Sequence, residues 1–132
     1  MKIATFNING IKARLPALLD WLSETMPDIA MLQEIKSVDE LFPREEIEAL
    51  GYQIHTHGMK GFNGVAILSK YPLEDIMRGL PGDSDDIQTR YIEATVITNK
   101  GPLRLCNLYL PNGNPTPGPK FDYKLKWMER LY

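Results

Sequence analysis

Apolar positions in the first third of the chain change their spacing twice. Residues Lys2 to Asn7 read as a strand, after which Ile11, Leu15, Leu18, Leu19, Leu22 and Met26 recur at helical spacing and form one apolar stripe. Pro27 stops that helix. The next run, Ile29-Ala30-Met31-Leu32, is almost continuously apolar, as expected of a strand covered on both faces. The pattern predicts a β-α-β unit. If its strands are parallel, their carboxyl ends emerge at one edge of the sheet, where Asn7 and Glu34 lie. Loops at that edge leave the covering helices and open to solvent, which is why α/β sheets place ligands there.

Further along, the period shortens. A short helix is predicted at Arg44 to Leu50, opened by Pro43 and closed by Gly51. Four strands follow, Tyr52 to His57, Val65 to Ser69, Arg90 to Thr98 and Leu103 to Leu110, rich in β-branched and aromatic residues and suggesting an antiparallel meander. Alternation in the last strand puts Leu103, Leu105, Asn107 and Tyr109 on one face. A Pro/Gly/Asn loop spans Pro111 to Pro119, and Pro119 opens a final helix carrying Phe121, Leu125, Met128 and Tyr132. The glycines at 58, 61 and 64 precede no helix start, so they read as a hairpin connection and not as a phosphate loop.

Composition narrows the classes. With 132 residues, 43% hydrophobic and 24% charged, the chain has material for one globular domain and is not a disordered tract. Fifteen Lys plus Arg against seventeen Asp plus Glu give a net charge of -2, so any nucleic-acid contact must be local. The lone Cys106 forms no internal disulfide, the first residues lack a signal-peptide core, and no apolar run reaches the ~18 residues of a membrane span. A cytoplasmic protein without a membrane partner is the expectation.

Several residues admit two readings. Glu34, a carboxylate closing an apolar strand, is either solvated and paired with Lys36 or a ligand for a hard cation such as Mg²⁺. Asn7 either caps the following turn or orients a metal-bound water or a phosphate. Tyr109 and Asn112 bracket Tyr-Leu-Pro-Asn-Gly, a strand-end turn whose phenol and amide could also bond phosphodiester oxygens. His55 and His57 share a strand face but lack a third metal ligand. Arg90, Lys120, Lys124 and Lys126 form either a solvated face or a DNA-backbone contact.

Together these segments carry more than each does alone. Ile3-Ala4-Thr5-Phe6-Asn7-Ile8-Asn9-Gly10, Leu32-Gln33-Glu34-Ile35-Lys36, Gly61-Phe62-Asn63-Gly64-Val65-Ala66-Ile67-Leu68-Ser69-Lys70 and Asn107-Leu108-Tyr109-Leu110-Pro111-Asn112-Gly113 occur in this order. The chain thereby resembles the amino-terminal half of the bacterial exonuclease III branch of the endonuclease/exonuclease/phosphatase superfamily. That group also holds AP endonucleases, deoxyribonuclease I and inositol polyphosphate phosphatases.

The resemblance implies an α/β fold, half of a deoxyribonuclease I-like four-layer sandwich with a mixed sheet flanked by helices, with residues 1–132 as the amino-terminal portion of a single domain. It implies an Mg²⁺-dependent (alternatively Mn²⁺-dependent) 3′-5′ exodeoxyribonuclease and abasic-site endonuclease acting on double-stranded DNA. Glu34 becomes a metal ligand with Asn7 beside it. Tyr109 contacts the scissile phosphate, Asn112 lies in the loop facing DNA, and Arg90 and Lys120 sit on the DNA-binding side. Ile35 stands where many relatives have Thr. The family's later Gly-Asp-Phe-Asn type motif and its Asp-His pair are absent from the sequence. The fragment alone is therefore expected to be inactive, with the missing half, or self-association through an uncovered sheet face, completing it. The alternatives are a phosphatase of the same superfamily and a non-catalytic DNA-binding or assembly module.

Overall fold

In the computed structural model, which describes residues 1–132, two sheets stack face to face. Strand β1 (Ile3–Asn7) leads into helix α1 (Ile11–Thr25), and β2 (Ile29–Gln33) returns beside β1 in parallel, with Asn7 opposite Gln33. The predicted β-α-β unit is present. Helix α1 ends where Met26 turns left-handed (φ 46°), one residue ahead of Pro27. A single-turn helix, α2 (Glu45–Glu48), precedes β3 (Gln53–His57), and residues 58–64 join β3 to β4 (Val65–Ser69) as an antiparallel pair. The first sheet has the order β1-β2-β4-β3. The second, β5-β6-β7, is antiparallel and consists of β5 (Leu73–Arg78), β6 (Tyr91–Thr98) and β7 (Gly101–Leu108). Helix α3 (Pro119–Leu131) closes the chain.

The expected single meander is thus divided. One hairpin extends the first sheet and the other builds the second, because strands with similar local pattern can bury their faces against different partners. Strand β5 was not predicted. Its acidic Glu74 and Asp75 are poor strand formers, and they fall in a register shift, with Asp75 at φ 50°.

Period-two alternation partitions the core. In β2 and β4, Ala30, Leu32, Ala66 and Leu68 point toward α1, where Leu18 and Leu22 cover them. Ile29, Val65 and Ile67 point the other way, onto Ile92, Ala94, Val96 and Leu105 of the second sheet. Both faces of the central strands are therefore dry, which explains their unbroken apolar runs. Each fully buried Ile or Leu contributes about 1.5–3 kcal/mol.

The two outer edges of the first sheet differ. On β3 the Arg78 Nε and Arg44 Nη1 groups donate to the Thr56 and Ile54 carbonyls (2.7 and 3.1 Å), occupying acceptors that another strand would need. The β1 edge has no neighbouring strand, and Ile3 and Phe6 are 41% and 43% exposed. Phe6 stacks on Trp21 of α1 at 5.9 Å.

Candidate active site

The turn after β2 aims one carboxylate at two strand ends. Glu34 (φ 55°) and Lys36 (φ 53°) adopt left-handed backbone, a conformation costing about 1–2 kcal/mol for a residue with a Cβ. Main-chain bonds hold it there: Gly10 N–H donates to the Glu34 carbonyl (2.7 Å), and Ile35 and Lys36 N–H donate to Gly64 and Asn63 (3.2 and 2.9 Å). Gly64 has φ 93°, and a Cβ there would lie 2.5 Å from Ile35 Cγ1, so the tight fit of this turn requires glycine.

Three sequence candidates meet at that carboxylate. Asn7 Nδ2 donates to Glu34 Oε1 at 3.0 Å, and Tyr109 Oη donates to the same oxygen at 2.8 Å. Glu34 Oε2 has a looser 3.7 Å contact with Lys36 Nζ, which itself donates to Asn9 Oδ1 at 2.6 Å. The Asn7 hydrogen bond holds the Glu34 carboxyl below its ordinary range, helped by Tyr109 and Lys36 and opposed by partial burial. Burial, then the Glu34 partner, push the Tyr109 phenol up. At neutral pH the site is an ionised carboxylate facing a protonated phenol.

Asn112 lies elsewhere. Its Oδ1 accepts from Asn114 Nδ2 at 2.8 Å, and with Arg90, Lys120 and Tyr123 it lines a neighbouring cleft of about 320 Å³. Arg90 lies over two phenol rings, 4.9 Å from the Tyr109 centroid and 5.7 Å from that of Tyr123, and donates to Gln88 Oε1 and the Tyr109 carbonyl. Lys120 is exposed at the same cleft. His55 and His57 remain half-buried, both shifted down, mainly by desolvation. No group of three His, Cys, Asp or Glu side chains stands ready for a metal anywhere in the chain.

A buried asparagine that sequence reading left as a strand residue ties the site together. Asn107 Nδ2 donates to the Leu32 and Ala66 carbonyls (2.9 and 2.8 Å), and its Oδ1 accepts from Gln33 Nε2 at 2.8 Å. Gln33 immediately precedes Glu34, and Asn107 lies two positions before Tyr109. This bridge between sheets fixes how the phenol meets the carboxylate. Its only sequence signal is a polar residue in phase with Leu105.

The motif order, the parallel β1/β2 pair and the joined Asn7-Glu34-Tyr109 triplet all coincide with a match to the Endonuclease/Exonuclease/phosphatase family over residues 4–132. The chain belongs to that family. It is 46% identical over 113 residues to exodeoxyribonuclease III of Haemophilus influenzae, which covers 86% of this chain and 42% of that protein. Among solved structures, a Neisseria 3′ phosphatase bound to product DNA hairpin superposes with a TM-score of 0.93 and 40% identity, covering 99% of this chain and 49% of that one. An AP endonuclease from Archaeoglobus fulgidus gives a TM-score of 0.92 at 40% identity, covering 100% and 49%. The chain thus spans about half the length of the proteins it matches. The fold is half of the deoxyribonuclease I-like arrangement that such structures share, with mixed sheets flanked by helices.

Proposed function

We propose that these residues are the amino-terminal portion of an Mg²⁺-dependent DNA-repair nuclease of exonuclease III type. The complete protein would hydrolyse phosphodiesters of double-stranded DNA at 3′ ends and beside abasic sites. The carrying observation is the Glu34 carboxylate bracketed by Asn7 and Tyr109 next to a cleft bearing Arg90 and Lys120. Arg90 and Lys120 supply the local positive charge that the net composition lacks. The Tyr109 hydroxyl and Asn112 amide serve as donors to phosphate oxygens, and a donor that tightens in the transition state contributes most to rate.

The oxygen donors fit a hard cation, and Glu34 Oε2 carries only the long Lys36 contact. Asn7 Oδ1 already accepts from Asn9 N–H at 3.1 Å, so Asn7 as folded orients the carboxylate. Glu34, with Asn7 beside it, would hold Mg²⁺ or Mn²⁺, which when bound supplies charge neutralisation at the reacting phosphate. A lone carboxylate holds Mg²⁺ weakly, because the ion dehydrates reluctantly. That scarcity of ligands favours a second reading, in which this portion alone is a DNA-binding module without turnover. No helix is long and apolar enough to cross a membrane, and a cytoplasmic location suits the proposed role and the unpaired Cys106.

The test assays abasic-site duplex cleavage in Mg²⁺ by the chain alone, and then with the carboxyl-terminal portion of the Haemophilus influenzae relative. Incision is expected only in the mixture and is expected to disappear in Glu34→Ala. Incision by the chain alone would overturn the need for a second portion, and a Glu34→Ala mixture as active as the parent would overturn the assignment. Cleavage of inositol phosphates but not DNA would transfer it to the phosphatase branch.

A further inference from the structure

Arg90 is held by a relay that begins at residues outside the lining of the cleft. Asp86 Oδ2 accepts from both Tyr123 Oη and Arg130 Nη1, each at 2.7 Å, and the Asp86 and Arg130 side chains are only 6% and 14% exposed. Arg130 spends its other donors on the loop, with Nη2 on the Leu80 carbonyl (2.6 Å) and Nε on that of Pro81 (3.3 Å). A fixed guanidinium fork satisfied by three acceptors is a specific fastening of α3 to the loop before β6. The second Asp86 oxygen accepts from Gln88 N–H at 3.0 Å. Gln88 Oε1 then takes Arg90 Nε at 2.7 Å. Hydrogen bonds thus occupy Nε and Nη1 of Arg90, whose guanidinium also lies over two phenol rings, while Nη2 has no partner in the fold.

We infer that Asp86, clasped by Tyr123 and Arg130, is a positioning residue that presents the free edge of Arg90 to a DNA phosphate. This rests on the reading of the cleft as a phosphodiester site. Asp86 and Arg130 do not line the cleft, so they act through Gln88 and Arg90. The inference opposes plain electrostatics, in which removing an acidic charge near a polyanion strengthens binding. Asp86→Asn keeps the shape, weakens the clasp and should nevertheless weaken DNA binding.

The experiment follows binding of the chain to a short abasic-site duplex as salt is varied. Each lost phosphate contact lowers the slope of log K against log salt by about 0.9, or about 3.5-fold in affinity change between roughly 50 and 200 mM. Arg90→Gln is expected to lower the slope by that amount. Asp86→Asn should match it, and the double variant should fall no further. A second measurement needs no DNA: by NMR, Arg90 Nε–H is expected to exchange slowly in the parent, fast in Asp86→Asn and faster than parent in Tyr123→Phe. Arg104 Nε–H, bound to Glu93 at 2.7 Å on the second sheet, should stay unchanged and reports folding. If Arg90→Gln leaves the parent slope intact, or the parent shows no salt-dependent binding, the phosphate reading itself falls. If Arg90→Gln lowers the slope but Asp86→Asn keeps it, or leaves Arg90 exchange slow, only the clasp falls.

Discussion

Replacing Asn107 separates the bridge between the sheets from the site it supports. Its amide makes three hydrogen bonds, two buried ones to carbonyls of different strands and a partly buried one from Gln33. At about 1 kcal/mol net for each bond, with roughly 1 kcal/mol for the void left by truncation, Asn107→Ala should cost about 3–4 kcal/mol. Asn107→Leu restores volume without the bonds, so its cost should stay above about 2 kcal/mol. Urea unfolding followed by tryptophan emission measures both. With slopes of about 1–3 kcal/mol per M, the midpoint should fall by roughly 1–4 M in the alanine variant. NMR titration of Tyr109 supplies the functional half: once the bridge is lost, the phenol should titrate nearer its ordinary range because it no longer meets Glu34 in register. Midpoints displaced by less than about 0.3 M in both variants, with Tyr109 still titrating high, would refute the bridge.

The lowered Glu34 carboxyl makes stability depend on acid. Its contribution is present above the ordinary value of 4.5 and is lost as pH falls through the lower folded value, so Glu34→Gln should flatten unfolding midpoints across that window. The raised Tyr109 phenol works with the opposite sign: its contribution is complete below pH 10 and declines as pH rises toward the folded value, a decline that Tyr109→Phe should remove. In the mixture with a relative's carboxyl-terminal portion, Tyr109→Phe should lower kcat more than DNA affinity, and weaker binding at unchanged kcat would make the tyrosine a positioning group. Gly64→Ala should destabilise by more than about 1 kcal/mol in urea, since its φ of 93° and the Ile35 contact both resist a Cβ, and a neutral result would mean that the turn relaxes freely.

Residues whose surroundings repeat locally were readable from sequence. The α1 stripe, the apolar β2 run and the Pro119 helix start are each set by neighbours a few positions away. Sheet membership was not readable, because β4 and β6 share composition while one joins β2 and the other β5. Asn7, Glu34 and Tyr109 were legible as strand-end polar groups, and a bond spanning 75 positions brings the last two together. Asp86 was hidden for the opposite reason. It follows Asp83, Ser84 and Asp85 in what reads as a solvated acidic loop, and only α3, 37 to 44 positions on, buries it.

The asymmetry of the sheet edges bears on how the site is completed. A chain whose first sheet stood alone would gain by blunting both edges, yet arginines occupy the acceptors of β3 while β1 is left bare with Ile3 and Phe6 exposed. Strand β1 also ends at Asn7, so whatever covers that edge lies beside the Glu34 carboxylate. The relatives have about as much chain again as is matched here. If that further length packs along β1, one docking event would bury the exposed apolar residues and bring additional ligands and a base to a carboxylate that holds a cation poorly by itself. Folding and activation would then be coupled through one strand. Asn7 and Tyr109 already converge on Glu34 in a chain with no group of three metal-binding side chains of its own, so ligands added at that edge would meet a carboxylate already oriented.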